Sequence, residues 1–180
     1  MRIAVCGTHG TGKTTLVEAL LPHLSGYDVI DEPYRQLEDE GEDFAERPVA
    51  DDFARQLERA INCLEESGAD SLFDRCPADL LGYLDAVNDA DSVDLQAWID
   101  RARPAMARLD LVVFVGIEQP DRIDSAGLHF RRLRREVDDR LRDIVLDDRW
   151  SFGVPAIEVT GSTEDRVAQV LRHLARHPGR

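Results

Sequence analysis

Gly7-Thr8-His9-Gly10-Thr11-Gly12-Lys13-Thr14 satisfies the pattern G-x-x-x-x-G-K-[ST] at every fixed position. The residues before it, Arg2-Ile-Ala-Val-Cys6, form a short apolar run suited to a buried strand. Those after it, Thr15 to Leu24, place apolar residues at 16, 17, 20 and 24, which is helical spacing. Strand, glycine loop and helix in that order make a phosphate-binding loop. Glycines let successive backbone N–H groups turn inward around a phosphate, and the helix start adds the positive end of its dipole. Gly7, His9, Gly10, Thr11, Gly12, Lys13, Thr14 and Thr15 are therefore the candidate nucleotide-binding residues. The Lys13 ammonium reaches the β and γ phosphates, and the Thr14 hydroxyl can hold Mg²⁺. The His9 side chain is expected to face away from the phosphate. Lysine and arginine total 22, yet Lys13 is the only lysine. An arginine-biased composition explains the other 21 positions; the exception falls where a compact point charge is wanted rather than a planar fork.

The formal charge is 22 − 36 = −14 and the pI is near 4.7. That argues against nucleic acid as the main partner, because a phosphate backbone needs a basic surface. No apolar run approaches the roughly 18 residues a membrane helix requires. Met1 leads straight into the first strand, so no leader peptide is expected. Cys6, Cys63 and Cys76 are scattered without C-x-x-C spacing, which points to a reducing cytoplasm and no zinc site. The 180 residues read most simply as one domain.

Along the chain, Tyr27 to Asp31 reads as a second strand ended by Glu32-Pro33. Residues 35–47, rich in acids, read as a mobile loop. Pro48 opens a long helix with Val49, Phe53, Leu57, Ile61 and Leu64 as its stripe, stopped at Ser67-Gly68. Asp70 to Asp74 is a third strand, followed by helices over about 78–88 and 92–107. Leu109 to Ile117 is the most apolar run and reads as a fully buried parallel strand. A polar loop over 118–130 leads into a basic helix, Arg131-Arg-Leu-Arg-Arg135, with Leu133, Val137, Leu141 and Ile144 as its stripe. Val154 to Val159 is the last strand. Ser162 with Asp165 resembles a capping box opening the final helix.

Strands alternating with helices give an α/β fold with a five-stranded parallel sheet, and ligands in such sheets sit beyond the strands' carboxyl ends. Glu32 and Asp74 stand at two of those ends. Two carboxylates beside a phosphate loop can divide the work of phosphoryl transfer, one holding Mg²⁺ and the other taking a proton from an attacking hydroxyl. Arg75 can grip a phosphate oxygen. Arg131, Arg132 and Arg135 are candidates for a lid over the γ-phosphate, spanning about 118–135; the alternative is a solvated charged face. Tyr34, Arg35, Phe44 and Arg47 flank the cleft and are candidates for an acceptor pocket.

With these motifs in order, the chain resembles a small P-loop kinase of the nucleoside and nucleotide kinase superfamily. The likeness runs over essentially the whole length. Glu32-Pro33 resembles the Glu-Pro of deoxynucleoside kinases, whose Glu is the base on the sugar 5′-hydroxyl. Asp74-Arg75 resembles their acid-Arg-Ser motif, with Cys76 in place of Ser or Thr. Arg131, Arg132, Arg135 and Arg122 resemble lid arginines, and Thr160-Gly161-Ser162 falls where such kinases place the adenine-contacting loop. The resemblance implies a three-layer fold with strand order 2-3-1-4-5. It also implies ATP and Mg²⁺ as cofactors, with Thr14 and Asp74 on the metal, and a nucleoside or nucleotide as phosphoacceptor. The chain also resembles small AAA-type ATP-binding proteins, which leaves a regulatory ATPase as the alternative. An Asn-Lys-x-Asp guanine motif is impossible in a chain whose only lysine is Lys13. The apolar stripes of helices 49–67 and 78–107 could pair with a second copy, and serve a monomer's core equally well.

Overall fold

A computed structural model describes residues 1–44, 48–87, 93–118 and 128–177, with 128–130 by backbone only. The strands are β1 (Arg2–Cys6), β2 (Asp28–Ile30), β3 (Ser71–Asp74), β4 (Leu111–Phe114) and β5 (Ala156–Glu158). The helices are α1 (Lys13–Leu20), α2 (Pro33–Asp39), α3 (Ala50–Glu66), α4 (Pro77–Val87), α5 (Leu95–Met106), α6 (Leu128–Val145) and α7 (Thr163–Arg176). All strand pairs are parallel, in the order β2-β3-β1-β4-β5. This is the order the family resemblance implies.

The period of two in β1 sorts its side chains between two cores. Ile3 and Val5 pack with Leu16, Val17, Leu20, Val167 and Val170 of α1 and α7. Ala4 and Cys6 face the opposite layer, with Leu57 and Ile61 of α3, Leu81 and Leu84 of α4, Ile99 of α5 and Leu141 of α6. Both faces are covered, which is why β1 and β4 read as unbroken apolar runs. Gly82 lets α4 and α6 approach: a Cβ there would stand 2.7 Å from Leu141 Cδ2. That closeness brings one face of α6 up to the glycine loop.

Residues 35–39, expected on composition to begin a loop, are helical, while 40–44 are turn and irregular backbone. Pro33 sits at the first position of a helix, with Glu32 as its N-cap, and Leu37 anchors it in the core. A proline and one buried leucine outweigh the run of acids. Arg47 lies outside the described residues, as do residues 119–127, which hold Arg122 and much of the expected lid. The capping box of α7 is present: Ser162 Oγ accepts from Asp165 N–H at 3.2 Å, and Asp165 Oδ2 accepts from Ser162 N–H at 3.1 Å.

Candidate active site

Parallel pairing sets Val5 beside Asp74 and Cys6 beside Phe114, so the carboxyl ends of β1, β3 and β4 fall level around the glycine loop. Gly7 admits no side chain: a Cβ would lie 2.2 Å from the Val115 carbonyl oxygen. Gly12 caps α1 at φ 88°, a left-handed conformation that favours glycine. The first amides of α1, at Lys13 and Thr14, have no intrahelical partner and are available to an anion.

The loop's carbonyls are held from outside. Gly7 O accepts from Arg75 Nη1 at 3.2 Å, and Thr8 O from Lys13 Nζ at 2.9 Å. His9 O accepts from Arg134 Nε at 2.8 Å, and Thr11 O from Arg166 Nη1 at 2.7 Å. Four cations, drawn from β3's end, α1, α6 and α7, thus grip four loop carbonyls. Buried Asp79 of α4 supports the same loop, accepting Gly7 N–H at 2.9 Å on Oδ1 and Cys76 N–H at 3.0 Å on Oδ2. Tyr83, one turn further on, places its hydroxyl 2.9 Å from both the amide and Nδ1 of His9. His9 therefore turns to Tyr83. Burial, with Arg75 and Arg134 close by, lowers its pKa to about 4, so its imidazole is neutral at pH 7.

The two predicted carboxylates behave differently. Asp74 is buried; its Oδ2 accepts the Thr14 hydroxyl at 2.6 Å, while Oδ1 has no hydrogen-bond partner. Burial raises its pKa, opposed by the Thr14 bond and by Lys13. An orphaned buried carboxylate oxygen beside a loop hydroxyl is a donor set that fits a hard divalent cation. Glu32 instead pairs with Arg75 Nε at 2.5 Å. Burial pushes the Glu32 carboxyl up, but Arg75 and Lys13 outweigh it and hold the pKa below the usual value. Arg75 itself sits at φ 82°, strained for a non-glycine residue, and is pinned by its N–H on Val5 O at 3.0 Å. Lys13 is buried; that burial, and then the repulsion of Arg75, lowers its pKa to about 8.

Of the basic cluster, Arg131, Arg132 and Arg135 are exposed, and Arg132 pairs with Glu136 at 2.8 Å. The arginine of α6 that reaches the loop is Arg134, 3% exposed, which the sequence reading passed over. Asp79, Tyr83 and Arg166 were also missed. An Asp and a Tyr four apart near the start of a mostly apolar helix were the available signal for the first two. Beyond the carboxyl ends of β4 and β5, Thr160 and Gly161 line a cavity of about 400 Å³ with Gly116, Ile117, Glu118 and Glu158. Glu118 Oε1 accepts Gly161 N–H at 2.6 Å and Arg166 Nη2 at 2.9 Å, so one arginine spans the cavity rim and the phosphate loop. Two of the three cysteines also converge: the ligand atoms of Cys6, Cys76 and Asp79 lie within 4.8 Å of one another, all buried. Both Asp79 oxygens are occupied by backbone amides there.

A parallel 2-3-1-4-5 sheet with this loop after β1 and an acid-arginine pair after β3 is a P-loop nucleoside and nucleotide kinase-like fold. Residues 2–166 match the AAA domain family model, and the chain belongs to that family. No curated protein matches. Among solved structures, thymidylate kinase from Candida albicans is similar at a TM-score of 0.70 and 14% identity, over 98% of this chain and 91% of that one. NadR in complex with NR has a TM-score of 0.70 at 18% identity, over 99% of this chain but 51% of NadR. Deoxyadenosine kinase from M. mycoides with bound dATP has a TM-score of 0.65 at 17% identity, over 97% of this chain and 100% of that one. At these identities the likeness establishes the fold. No described helix is long and apolar enough to cross a membrane.

Proposed function

We propose that this protein is an ATP- and Mg²⁺-dependent phosphotransferase that moves the γ-phosphoryl group to a small acceptor, a nucleoside or nucleotide. One observation carries the reading: Lys13, the Thr14–Asp74 pair and the Glu32–Arg75 pair converge on one glycine loop from the ends of three neighbouring strands. Lys13 and the amides of the loop bind the β and γ phosphates. Thr14 and Asp74 would hold Mg²⁺, which draws negative charge off the phosphates when bound. Glu32, kept ionised by Arg75, takes the acceptor's proton. Arg75 orients Glu32 and adds positive charge where the transferring group passes. Arg131, Arg132 and Arg135 are the lid candidates, and the cavity at Thr160 and Gly161 is a size suited to the donor's base.

The test is direct. ADP release from ATP·Mg²⁺ is followed with a panel of nucleosides and nucleotides, alongside Glu32→Gln. Acceptor-dependent ADP release, cut about 10²-fold or more by Glu32→Gln, supports the reading. A folded, ATP-binding protein that releases ADP regardless of acceptor would instead be an ATPase.

A further inference from the structure

We propose that Arg166 is a positioning residue of the donor site: it couples the cavity beyond β4 and β5 to the phosphate loop, so that the cavity side sets how well the loop holds phosphate. The inference rests on the phosphotransferase reading and adds to it a link between the two ends of the donor.

The link is one planar fork. Arg166 lies in the first turn of α7. Its Nη1 donates to Thr11 O at 2.7 Å and its Nη2 to Glu118 Oε1 at 2.9 Å. The same Glu118 oxygen accepts the N–H of Gly161 at 2.6 Å. One side chain thus joins the loop before α1 to the residues that follow β4 and β5. Its Nε is buried without a hydrogen-bond partner, so the two Nη groups carry the side chain's hydrogen bonding. A Cβ on Gly12 would stand 3.1 Å from Nη1, which puts the guanidinium against the loop backbone where α1 begins.

That placement acts on the loop in two ways. A charged donor on Thr11 O polarises the Thr11–Gly12 peptide and makes the Gly12 N–H a stronger donor in turn. It also fixes the plane of that peptide, and with it the direction in which the Gly12 amide points. Glu118 holds the fork in place from the cavity side. Without Glu118 one of the two bonds is lost and a long side chain regains its rotamer freedom.

The cavity and the loop also share their supports. On α7, Gln169 Nε2 donates to Thr160 O at 2.7 Å. On α6, Arg134, Asp138 and Arg142 recur every four residues and so share one side of the helix. Arg134 holds His9 O of the loop, Asp138 Oδ1 accepts the Ile117 N–H at 3.0 Å, and Arg142 grips both oxygens of Glu158 at 2.6 and 2.9 Å. In these cases the link runs through a helix. At Arg166 it runs through a single side chain that touches both places, and that makes it testable.

The experiment uses the full chain and calorimetry with two probes, ATP·Mg²⁺ and inorganic tripolyphosphate with Mg²⁺. Tripolyphosphate carries the phosphates without a base and so leaves the cavity empty. Glu118→Ala removes the charge and the acceptor on the cavity side. Glu118 is a quarter exposed and follows β4, so the variant is expected to fold, which circular dichroism checks. Loss of a negative charge near an anion site would by itself tighten tripolyphosphate binding. The coupling requires the opposite sign, a weakening of about threefold or more. Arg166→Gln and Arg166→Lys are each expected to weaken tripolyphosphate about tenfold, because an ammonium supplies the charge without the fork. Tripolyphosphate binding that is unchanged or tighter in Glu118→Ala, or restored in Arg166→Lys, overturns this inference and leaves the phosphotransferase reading standing. A wild-type chain that binds ATP but no tripolyphosphate overturns it too, because the loop then has no grip of its own to be tuned. A folded wild-type chain that binds neither probe defeats both readings.

Discussion

The glycine loop and the arginine helix α6 are the two regions with the densest sequence signals, and they behaved differently. In the loop, residue order alone determines who faces the ligand, because glycine at fixed spacing sets the backbone path. In α6 five basic or apolar residues in a row, Arg131 to Arg135, mark a charged helix but leave its rotation open. Rotation decides which arginine matters. Taking Leu133, Val137, Leu141 and Ile144 together as the stripe, about 100° per residue puts Arg134 at the stripe's edge and Arg131, Arg132 and Arg135 on the far side. The structure follows that phase: Arg134 is buried on the loop and the other three are exposed. A charged residue at the border of an apolar stripe is a candidate for a buried contact, whereas a run of charges is only a surface.

The largest effect should come from the loop. Lys13→Ala is expected to lower phosphoryl transfer by about 10³-fold or more, read as kcat/KM for ATP, with the fold intact by circular dichroism. A mild effect would break the comparison on its firmer side.

The next prediction sharpens the other side. Arg134→Gln removes a charged bond to His9 O, and is expected to weaken ATP binding about 10–100-fold by calorimetry. Arg135→Gln, on the exposed face, should leave ATP affinity within about twofold, and acts on kcat alone if it belongs to a lid. Equal losses in both would mean that helix phase is no guide here.

The support beneath the loop comes third. Asp79→Asn keeps one acceptor oxygen but loses the second for the amides of Gly7 and Cys76. It is expected to cost about 1–3 kcal/mol in urea melts. Gly82→Ala is expected to cost a similar 1–3 kcal/mol, because α4 and α6 must part around Leu141. The second variant tests whether α6 is held at the distance Arg134 needs, so its ATP affinity should fall along with its stability.

The fold was legible because both layers imprint themselves on β1 and β4, and because helix stripes in α3 and α7 have unambiguous period. The loop, Glu32 and Asp74 were legible as residues at strand ends. Their division of labour was not: only the tertiary structure shows Glu32 tied to Arg75 while Asp74 keeps an oxygen unpartnered. Arg166, 155 residues from Thr11, carries no local signal at all, since its partners are brought to it by the packing of α7 on α1. Helix α2 was misread because acidic composition says little about a segment that one proline starts and one leucine anchors.

The smallest predicted effect concerns protons. Lys13 has a pKa lowered to about 8 by burial and by Arg75. In the free protein the unfolded chain holds more protons than the folded one between about pH 8 and 10.5, so the cost of burying this charge is present below 8 and relieved as pH rises. ATP reverses the sign, because phosphates beside Lys13 favour its charged form. Binding at pH 8.5 should therefore take up most of a proton, against almost none at pH 6.5. Calorimetry in two buffers of different ionisation enthalpy measures that uptake. Lys13→Arg, charged at both pH values, should abolish it while weakening binding. Uptake that survives in the variant would assign the proton to another group, and would separate the loop's charge from the loop's shape as the source of its grip.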